Sequence, residues 1–197
     1  MKLSPTALDI DAVVKLGGGV LARVEQFSAV LAVIAAAATA RRLLVIPGGG
    51  PFADTVREVE RRLPLPDDAA HWMAILGIEQ YAHLIATRLP GGVLVDGPSQ
   101  IAGALQGGQV PVLAPYRWMR AADPLPHSWD VTSDSIAAWI AGAVGARRLV
   151  LVKPPGAERG DLVDAYFHRA LPDGLAAVTV AADRLDRIDA ALRGGVE

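Results

Sequence analysis

Two short glycine-rich segments carry the residues whose types and spacing best suit chemistry on phosphates. Residues 15–19 read Lys-Leu-Gly-Gly-Gly, and residues 48–50 are a glycine triplet between two prolines. Glycine admits backbone conformations with positive φ and lets a ligand approach main-chain N–H groups without a Cβ in between. Where a helix follows, its first N–H groups and its dipole favour an anion. The two segments predict one cradle for two phosphate-bearing groups, with the Lys15 ammonium placed to neutralise charge.

A third segment, residues 128–135, reads Ser-Trp-Asp-Val-Thr-Ser-Asp-Ser and leads into a predicted helix. The plain interpretation is N-capping by Ser133 or Asp134, because serine and aspartate are preferred there. The alternative is that Asp134 accepts hydrogen bonds from lysine and glycine N–H groups and holds the cradle in shape. Both interpretations stay open on spacing alone.

Lysine is scarce in this chain, since Lys2, Lys15 and Lys153 are its only lysines. A position that needs a compact point-charge donor is not freely exchanged for arginine. Lys153 ends a predicted strand, where it either reaches a nucleotide phosphate or caps the strand. Arg57 lies within reach of an anion on the helix after the second triplet. His71 begins a later helix, where it can line an acceptor pocket.

The first triplet was also compared with two other phosphate-binding patterns, and neither fits it well. A Walker A loop is excluded because no Gly-Lys-Ser/Thr follows. Residues 17–22 fit the loose dinucleotide pattern Gly-x-Gly-x-x-Ala. The second strand, however, ends without the acidic residue that binds a ribose. A dinucleotide-dependent oxidoreductase is therefore kept as the weaker alternative.

The bulk composition narrows the class of protein. At 197 residues the chain predicts one domain with a full core. A net charge of −2 gives no general electrostatic basis for binding nucleic acid or a membrane. There are no cysteines, which excludes disulfides and thiolate chemistry, and the histidines show no metal-ligand spacing. No secretory signal is visible, so we expect a cytoplasmic protein.

Strand-like and helix-like segments alternate along the chain, which predicts an α/β fold: a three-layer sandwich with a mainly parallel central sheet. The segment 114–131 is punctuated by prolines and is predicted to be a surface loop. The predicted strands are 10–16, 42–47, 92–95, 110–114, 147–153 and 176–181. The predicted helices are 24–40, 52–63, 68–89, 98–106, 133–145, 160–171 and 183–193.

Taken in order, the three segments resemble the amino acid kinase family, which includes carbamate, acetylglutamate, aspartate and uridylate kinases. That family has Lys-x-Gly-Gly-Ser after its first strand, Gly-Gly-Gly after its second, and a Thr/Ser/Asn-x-Asp element that opens a later helix. Within it, residues 47–54, 71–75 and 128–135 look like the small kinases of methanofuran and methylofuran biosynthesis. Those enzymes convert 5-(aminomethyl)-3-furanmethanol phosphate to its diphosphate.

The resemblance implies an ATP- and Mg²⁺-dependent kinase that acts on a small phosphorylated molecule. It implies an acceptor lobe at about 1–125, a shortened nucleotide lobe at about 126–197, and a homodimer formed through 68–89. Lys15 bridges the two phosphates at the transferred group, and Asp134 orients Lys15. The donor phosphates are assigned to Gly17, Gly18, Gly19 and Lys153. The acceptor is assigned to Gly48, Gly49, Gly50, Arg57, His71, Thr132 and Ser133.

The chain departs from the family pattern at two places. Gly19 replaces the family's serine, and residues 153–156 read Lys-Pro-Pro-Gly where the family has an aspartate and a glycine. No lysine follows Lys153, so Lys153 or Arg159 must take the place of the family's second catalytic lysine. These departures support a second alternative, a degenerate kinase fold that binds a nucleotide or a partner without turnover.

Overall fold

Six parallel strands form one central sheet. The structure is a computed structural model that describes residues 8–156 and 163–195. The strands lie in the order β3-β4-β2-β1-β5-β6, and every neighbouring pair is parallel. Their bounds are β1 Ala12–Leu16, β2 Leu43–Pro47, β3 Gly92–Val95, β4 Val110–Leu113, β5 Arg148–Lys153 and β6 Ala176–Ala181. The predicted α/β fold with a parallel sheet is therefore confirmed.

Helices cover both faces of this sheet and bury its two sets of alternating side chains. Ala12, Val14 and Leu16 of β1 point into a core that α1 and α8 complete. Val13 lies in the opposite core, which includes the buried residues of α6. The helices are α1 Val24–Ala38, α2 Gly50–Arg62, α3 Asp67–Arg88, α4 Pro98–Gln106, α5 Tyr116–Ala122, α6 Ser133–Ala143, α7 Phe167–Ala170 and α8 Leu185–Arg193. A short 3₁₀ helix spans Gly18–Ala22.

The order of the strands places a switch point at β1. From β1 the chain first builds the β2 side of the sheet and later returns to add β5 on the other side. In open parallel sheets, ligands bind in the crevice outside the carboxyl ends of strands at such a point. The carboxyl ends of β1, β2 and β5 carry the first glycine triplet, the second triplet and Lys153. The fold thus brings these segments to one edge of the sheet.

Two predicted elements are wrong in detail. The segment 114–131 is not wholly irregular, because α5 lies within it and buries Trp118 and Met119 in the core. The predicted helix 160–171 is shorter in the described residues, where only Phe167–Ala170 is helical and 163–166 are not. Arg159 lies outside the described residues. No helix in the described part of the chain is long and apolar enough to cross a membrane.

Candidate active site

The two glycine triplets cross each other at contact distance. A Cβ on Gly18 would lie 2.0 Å from the backbone nitrogen of Gly50, and one on Gly48 would lie 2.5 Å from that of Gly18. No side chain fits at such distances, so glycine is required where the two loops meet. Gly50 also has a φ of +56°, in the left-handed region that favours glycine. The triplets therefore serve the approach of one loop to the other as well as any approach of a ligand.

Only some of the triplet N–H groups are left for an anion. Gly17 donates to the carbonyl of Val152, and Gly48 donates to the carbonyl of Leu16, each at 2.8 Å. Gly18 and Gly19 open the 3₁₀ helix, and Gly50 opens α2, where N–H groups have no acceptor within their own helix. The N-terminus of α2 thus offers both unsatisfied donors and the positive end of a helix dipole.

Two lysines share one buried carboxylate at the edge of the sheet. Lys15 Nζ lies 2.8 Å from Asp134 Oδ1, and Lys153 Nζ lies 2.5 Å from Asp134 Oδ2. The alternation of strand side chains explains the meeting. Lys15 continues the face of Val13, and Lys153 continues the face of Leu151, toward α6. When both lysines are protonated, Lys15, Lys153 and Asp134 together carry a net charge of +1.

Burial and mutual attraction act in opposite directions on these groups. Burial lowers the pKa of Lys15 from its usual 10.5; the Asp134 carboxylate raises it and the Lys153 ammonium lowers it further. Burial alone would raise the pKa of Asp134, but the two lysines outweigh it, so the pKa lies below the usual 3.8. Asp134 is therefore ionised at neutral pH. A polyanion beside the cluster would favour the charged form of Lys15.

Asp164, a residue that sequence reasoning missed, holds the turn from which Asp134 projects. Its Oδ2 accepts hydrogen bonds from Thr132 N at 2.9 Å, Thr132 Oγ1 at 2.8 Å and Ser135 N at 3.0 Å. Its Oδ1 accepts one from the Ser135 hydroxyl. The N-terminus of α6 is thus capped by a distant residue, while Asp134 is left to the lysines. Local sequence offered no signal, because Asp164 was predicted to lie inside a helix.

A cavity of about 280 Å³ opens above the cluster. Its long wall is one face of α3, where Asp67, His71, Ile75 and Ile78 follow at helical spacing from the rim toward the triplets. The predicted site residues that line it are Lys15, Gly17, Gly18, Gly19, Gly49, Gly50, Arg57, His71, Thr132, Ser133, Asp134 and Lys153. Gly48 is not among the lining residues, and its predicted role in acceptor binding stays a prediction.

Trp129 forms a second wall and is fastened to α2. Its Nε1 donates to Glu60 Oε2 at 2.5 Å, and the Arg57 guanidinium carbon lies 4.7 Å from the centre of its ring. Arg57 also pairs with Asp54 at 2.7 Å. The ring of Trp129 lines the cavity, with Arg57 at the same opening.

His71 faces the cavity as a neutral imidazole. Burial, with the nearby His127 imidazole adding to it, lowers the pKa of His71 to about 4. The His71 and His127 rings stack with their centres 4.2 Å apart. His127 bonds to Asp68 through Nδ1 and to Asp123 through Nε2 at 2.8 Å, and these bonds raise its pKa. His71 is therefore a hydrogen-bonding group without charge at neutral pH.

The two departures from the family pattern lie against each other. A Cβ on Gly19 would sit 2.6 Å from Cγ of Pro154. Carbon atoms pack best at about 3.5–4.0 Å, so a side chain at position 19 collides with the proline ring. Gly19 and Pro154 thus form a matched pair on the cavity wall.

Solved structures of other kinases share this fold. Uridylate kinase from Archaeoglobus fulgidus superposes with a TM-score of 0.65 at 17% identity, over 94% of this chain and 96% of that one. UMP kinase from Ureaplasma parvum gives 0.70 at 13% identity, over 94% and 95%. UMP kinase from Bacillus anthracis gives 0.68 at 12% identity, over 93% and 91%.

Sequence comparison leads to the same family. A (5-(aminomethyl)furan-3-yl)methyl phosphate kinase from Methanocaldococcus jannaschii is 24% identical over 111 residues, which are 56% of this chain. The match spans about half of that relative, 51% of its length. The model of the amino acid kinase family matches residues 12–154, which include both triplets, Asp134 and both cavity lysines. The chain belongs to the amino acid kinase family.

Proposed function

We propose that this protein is an ATP-dependent kinase that converts a small phosphomonoester to its diphosphate, with aminomethylfuran phosphate of methylofuran biosynthesis as the acceptor. The observation that carries the proposal is the pair of lysines on Asp134 beneath a cavity bounded by both glycine triplets. Two ammonium groups that line a mostly buried cavity attract a polyanion and stabilise charge that moves between phosphates. In this proposal, residues up to about 125 bind the acceptor and residues from about 126 bind the nucleotide.

The transfer itself asks for positioning and charge neutralisation. A bond forms between an oxygen of the acceptor phosphate and the transferred phosphorus, and the bond from that phosphorus to the leaving diphosphate breaks. A phosphomonoester has its second pKa near 6, so its oxygen is already anionic and needs no strong general base. Lys15 lines the cavity together with residues of both triplets, and in this proposal its ammonium contacts both phosphates. Lys153 and the Gly18 and Gly19 N–H groups face the donor side.

Magnesium fits this site as an ion bound to the donor phosphates. Each carboxylate oxygen of Asp134 lies within ion-pair distance of a lysine ammonium, and this positive charge disfavours a metal cation at the same carboxylate. Among the described residues no group of three or more histidine, aspartate or glutamate side chains could hold a metal ion. Mg²⁺ commonly keeps several waters and binds to substrate phosphates. When bound, it would supply further positive charge, while the chain's own lysines and N–H groups hold the phosphates in line.

The wall formed by α3 supports an acceptor with a phosphate at one end and an amine at the other. Gly77 packs on the backbone at Phe52 and Ala53, beside the second triplet. His71 lies six residues earlier, about 9 Å along the helix axis, and Asp67 about 15 Å. An acceptor held by its phosphate at the triplets thus extends its other end toward a neutral imidazole and a carboxylate. Both can accept a hydrogen bond from a protonated amine.

The alternative of a dinucleotide-dependent oxidoreductase has little support in the geometry. In dinucleotide sites the glycine turn leads directly into a long helix whose N-terminus holds the pyrophosphate. Here Gly18–Ala22 form a 3₁₀ helix, and α1 starts only at Val24. The degenerate kinase fold was suggested by the missing second lysine, and it is less favoured because Lys153 places a second ammonium beside Asp134 in the cavity.

The test is turnover of Mg·ATP with the furan phosphate, followed by ADP release and by ³¹P NMR of the acceptor diphosphate. We expect wild-type turnover, and a loss of about 10²–10³-fold in kcat for Lys15→Ala and for Asp134→Asn. Asp189→Asn, on the exposed side of α8 where it pairs with Arg193, is the matched charge-removing control and should keep wild-type kcat. Unchanged kcat in Lys15→Ala would sink the mechanism.

Binding measurements separate the alternatives. In a thermal-shift assay we expect Mg·ATP and ADP to raise Tm and NAD(H) to leave it unchanged. Stabilisation by NAD(H) only would favour the oxidoreductase. Binding of Mg·ATP without turnover of any phosphomonoester would favour the degenerate kinase fold.

A homodimer through α3 belongs to the same proposal. Large apolar side chains are exposed on α2, at the residue that follows it and on α3: Val59, Leu63, Met73 and Leu76. Exposed apolar groups gathered on adjacent helices are typical of an interaction surface. The cytoplasmic location stays a prediction.

A further inference from the structure

We propose that Asp164 is a positioning residue for the phosphoryl transfer: it fixes the turn on which Asp134 meets both lysines. This inference rests on the proposed function for its catalytic consequence, but not for its geometry. Nothing in the family comparison assigns Asp164 a role. Its four hydrogen bonds reach residues on both sides of Asp134 in the chain.

The arrangement brackets Asp134 from both directions. Asp164 binds Thr132, two residues before Asp134, and Ser135, one residue after it. Because the main-chain N–H groups at both positions are bonded to one carboxylate, the backbone between them has little freedom. The Asp134 side chain therefore leaves the turn in one direction, toward Lys15 and Lys153.

The segment that carries Asp164 is itself anchored. Tyr166 N donates to the carbonyl of Asp130 at 3.1 Å, which ties the segment to the loop before α6. Phe167 is buried in the core that α6 also lines. Asp164 is thus held in place by contacts of its own segment with the loop before α6 and with the core, and it in turn holds the turn that carries Asp134.

Asp164 also contributes to the charge balance of the cluster. Its carboxylate is among the groups that raise the pKa of Lys15, together with Asp134 and against the effects of burial and Lys153. An asparagine at 164 removes this charge and offers amide hydrogens where Thr132 and Ser135 require acceptors. Asp164→Asn should therefore both loosen the turn and lower the pKa of Lys15.

The test combines steady-state kinetics with NMR of lysine labelled with ¹³C at Cε. The chain contains three lysines, so the spectrum holds three signals, and Lys15→Arg assigns the one of interest. We expect Asp164→Asn to lower kcat by about 10–100-fold, with less change in the KM for ATP. We also expect its Lys15 signal to titrate at lower pH than in the wild type. Asp164→Glu keeps the carboxylate and should recover part of kcat.

A second variant covers the case in which Asp164→Asn does not fold. Ser135→Ala removes one hydroxyl bond to Asp164 and leaves the other three, so we expect a loss of about 3–10-fold in kcat. If Asp164 only capped α6, the variants would have a lower Tm, while their kcat and Lys15 titration would stay at wild-type values. That result in either folded variant overturns the proposal.

The two proposals fail separately. The lysine titration needs no substrate, so an inactive wild type whose Lys15 signal still shifts in Asp164→Asn refutes the kinase assignment alone. An active wild type with an unmoved Lys15 titration and unmoved kcat in the variant refutes the role of Asp164 alone.

Discussion

Replacing Gly19 by alanine should destabilise the protein, and replacing Pro154 by alanine should abolish that effect. The new methyl group would lie 2.6 Å from Pro154 Cγ, about 1 Å inside the preferred separation of carbon atoms. Forcing extra carbon into a packed core costs about 1–3 kcal/mol, and because Gly19 is exposed and Pro154 half-buried we expect the lower part of that range. Alanine also restricts the unfolded chain, which returns about 0.4–1 kcal/mol. The expected net loss is about 1 kcal/mol, or about 2–4 °C in Tm for a chain of this length.

The Pro154→Ala background changes the sign of the effect. There the nearest remaining side-chain atom is the Cβ of residue 154, 3.6 Å from the new methyl group, which is ordinary van der Waals contact. Gly19→Ala should then be neutral or stabilising by up to about 1 kcal/mol. Urea unfolding of the wild type, both single variants and the double variant gives the coupling energy, expected at about 1–2 kcal/mol.

Gly103→Ala is the matched control for the effect of alanine itself. Gly103 lies on an exposed face of α4, with nothing within 4 Å of its would-be Cβ. Alanine there should stabilise by about 0.5–1 kcal/mol in either background. If Gly19→Ala loses the same stability with and without the Pro154 ring, the two departures from the family pattern are unrelated and the reasoning is refuted.

Three further predictions follow from the same geometry. Gly18→Ala, whose Cβ would sit 2.0 Å from Gly50 N, should abolish cooperative folding by circular dichroism, and a variant of wild-type Tm would show that the loops do not cross. In Asp134→Asn the pKa of Lys15 should fall further, because its main charge partner is gone. A lysine whose pKa is lowered in the folded state makes the free energy of unfolding rise with pH up to about 10.5. Urea unfolding of Asp134→Asn should show this rise beginning at a lower pH than in the wild type. The same pH dependence in both proteins would contradict the prediction. By NMR, the pKa of His71 should be about 4, so the free energy of unfolding should increase between pH 4 and 6.5. His127→Gln should raise the pKa of His71, while burial keeps it below 6.5. An unchanged His71 pKa in this variant would argue against the stacked pair.

Much of the site could be predicted because its signals are local. Each strand is a short apolar run, and the triplets mark where two of the strands end, so the parallel sheet and the shared edge follow from the pattern. The alternation of strand side chains also places Lys15 and Lys153 on one face, the face that α6 covers. The sequence pattern marks Lys15, Lys153 and Asp134 as candidate site residues, and the structure brings the three together.

The contacts that decide the chemistry are not local, and the sequence left them open. On spacing alone, Ser133 or Asp134 could cap the helix, whereas the structure places Asp164, some 30 residues later, at that cap. The glycines at 18 and 48 suggested access for a ligand, whereas the structure shows that the loops themselves need that space.

Hydrophobic periodicity and turn chemistry act over a few residues, so most helices and strands, and the charged residues at the ends of the strands, follow from the sequence. Tertiary structure alone decided that Asp134 pairs with both lysines and that Gly19 is matched to Pro154. The physical reason is that these contacts depend on distances between segments far apart in the chain, which packing of the whole sheet and its helices sets.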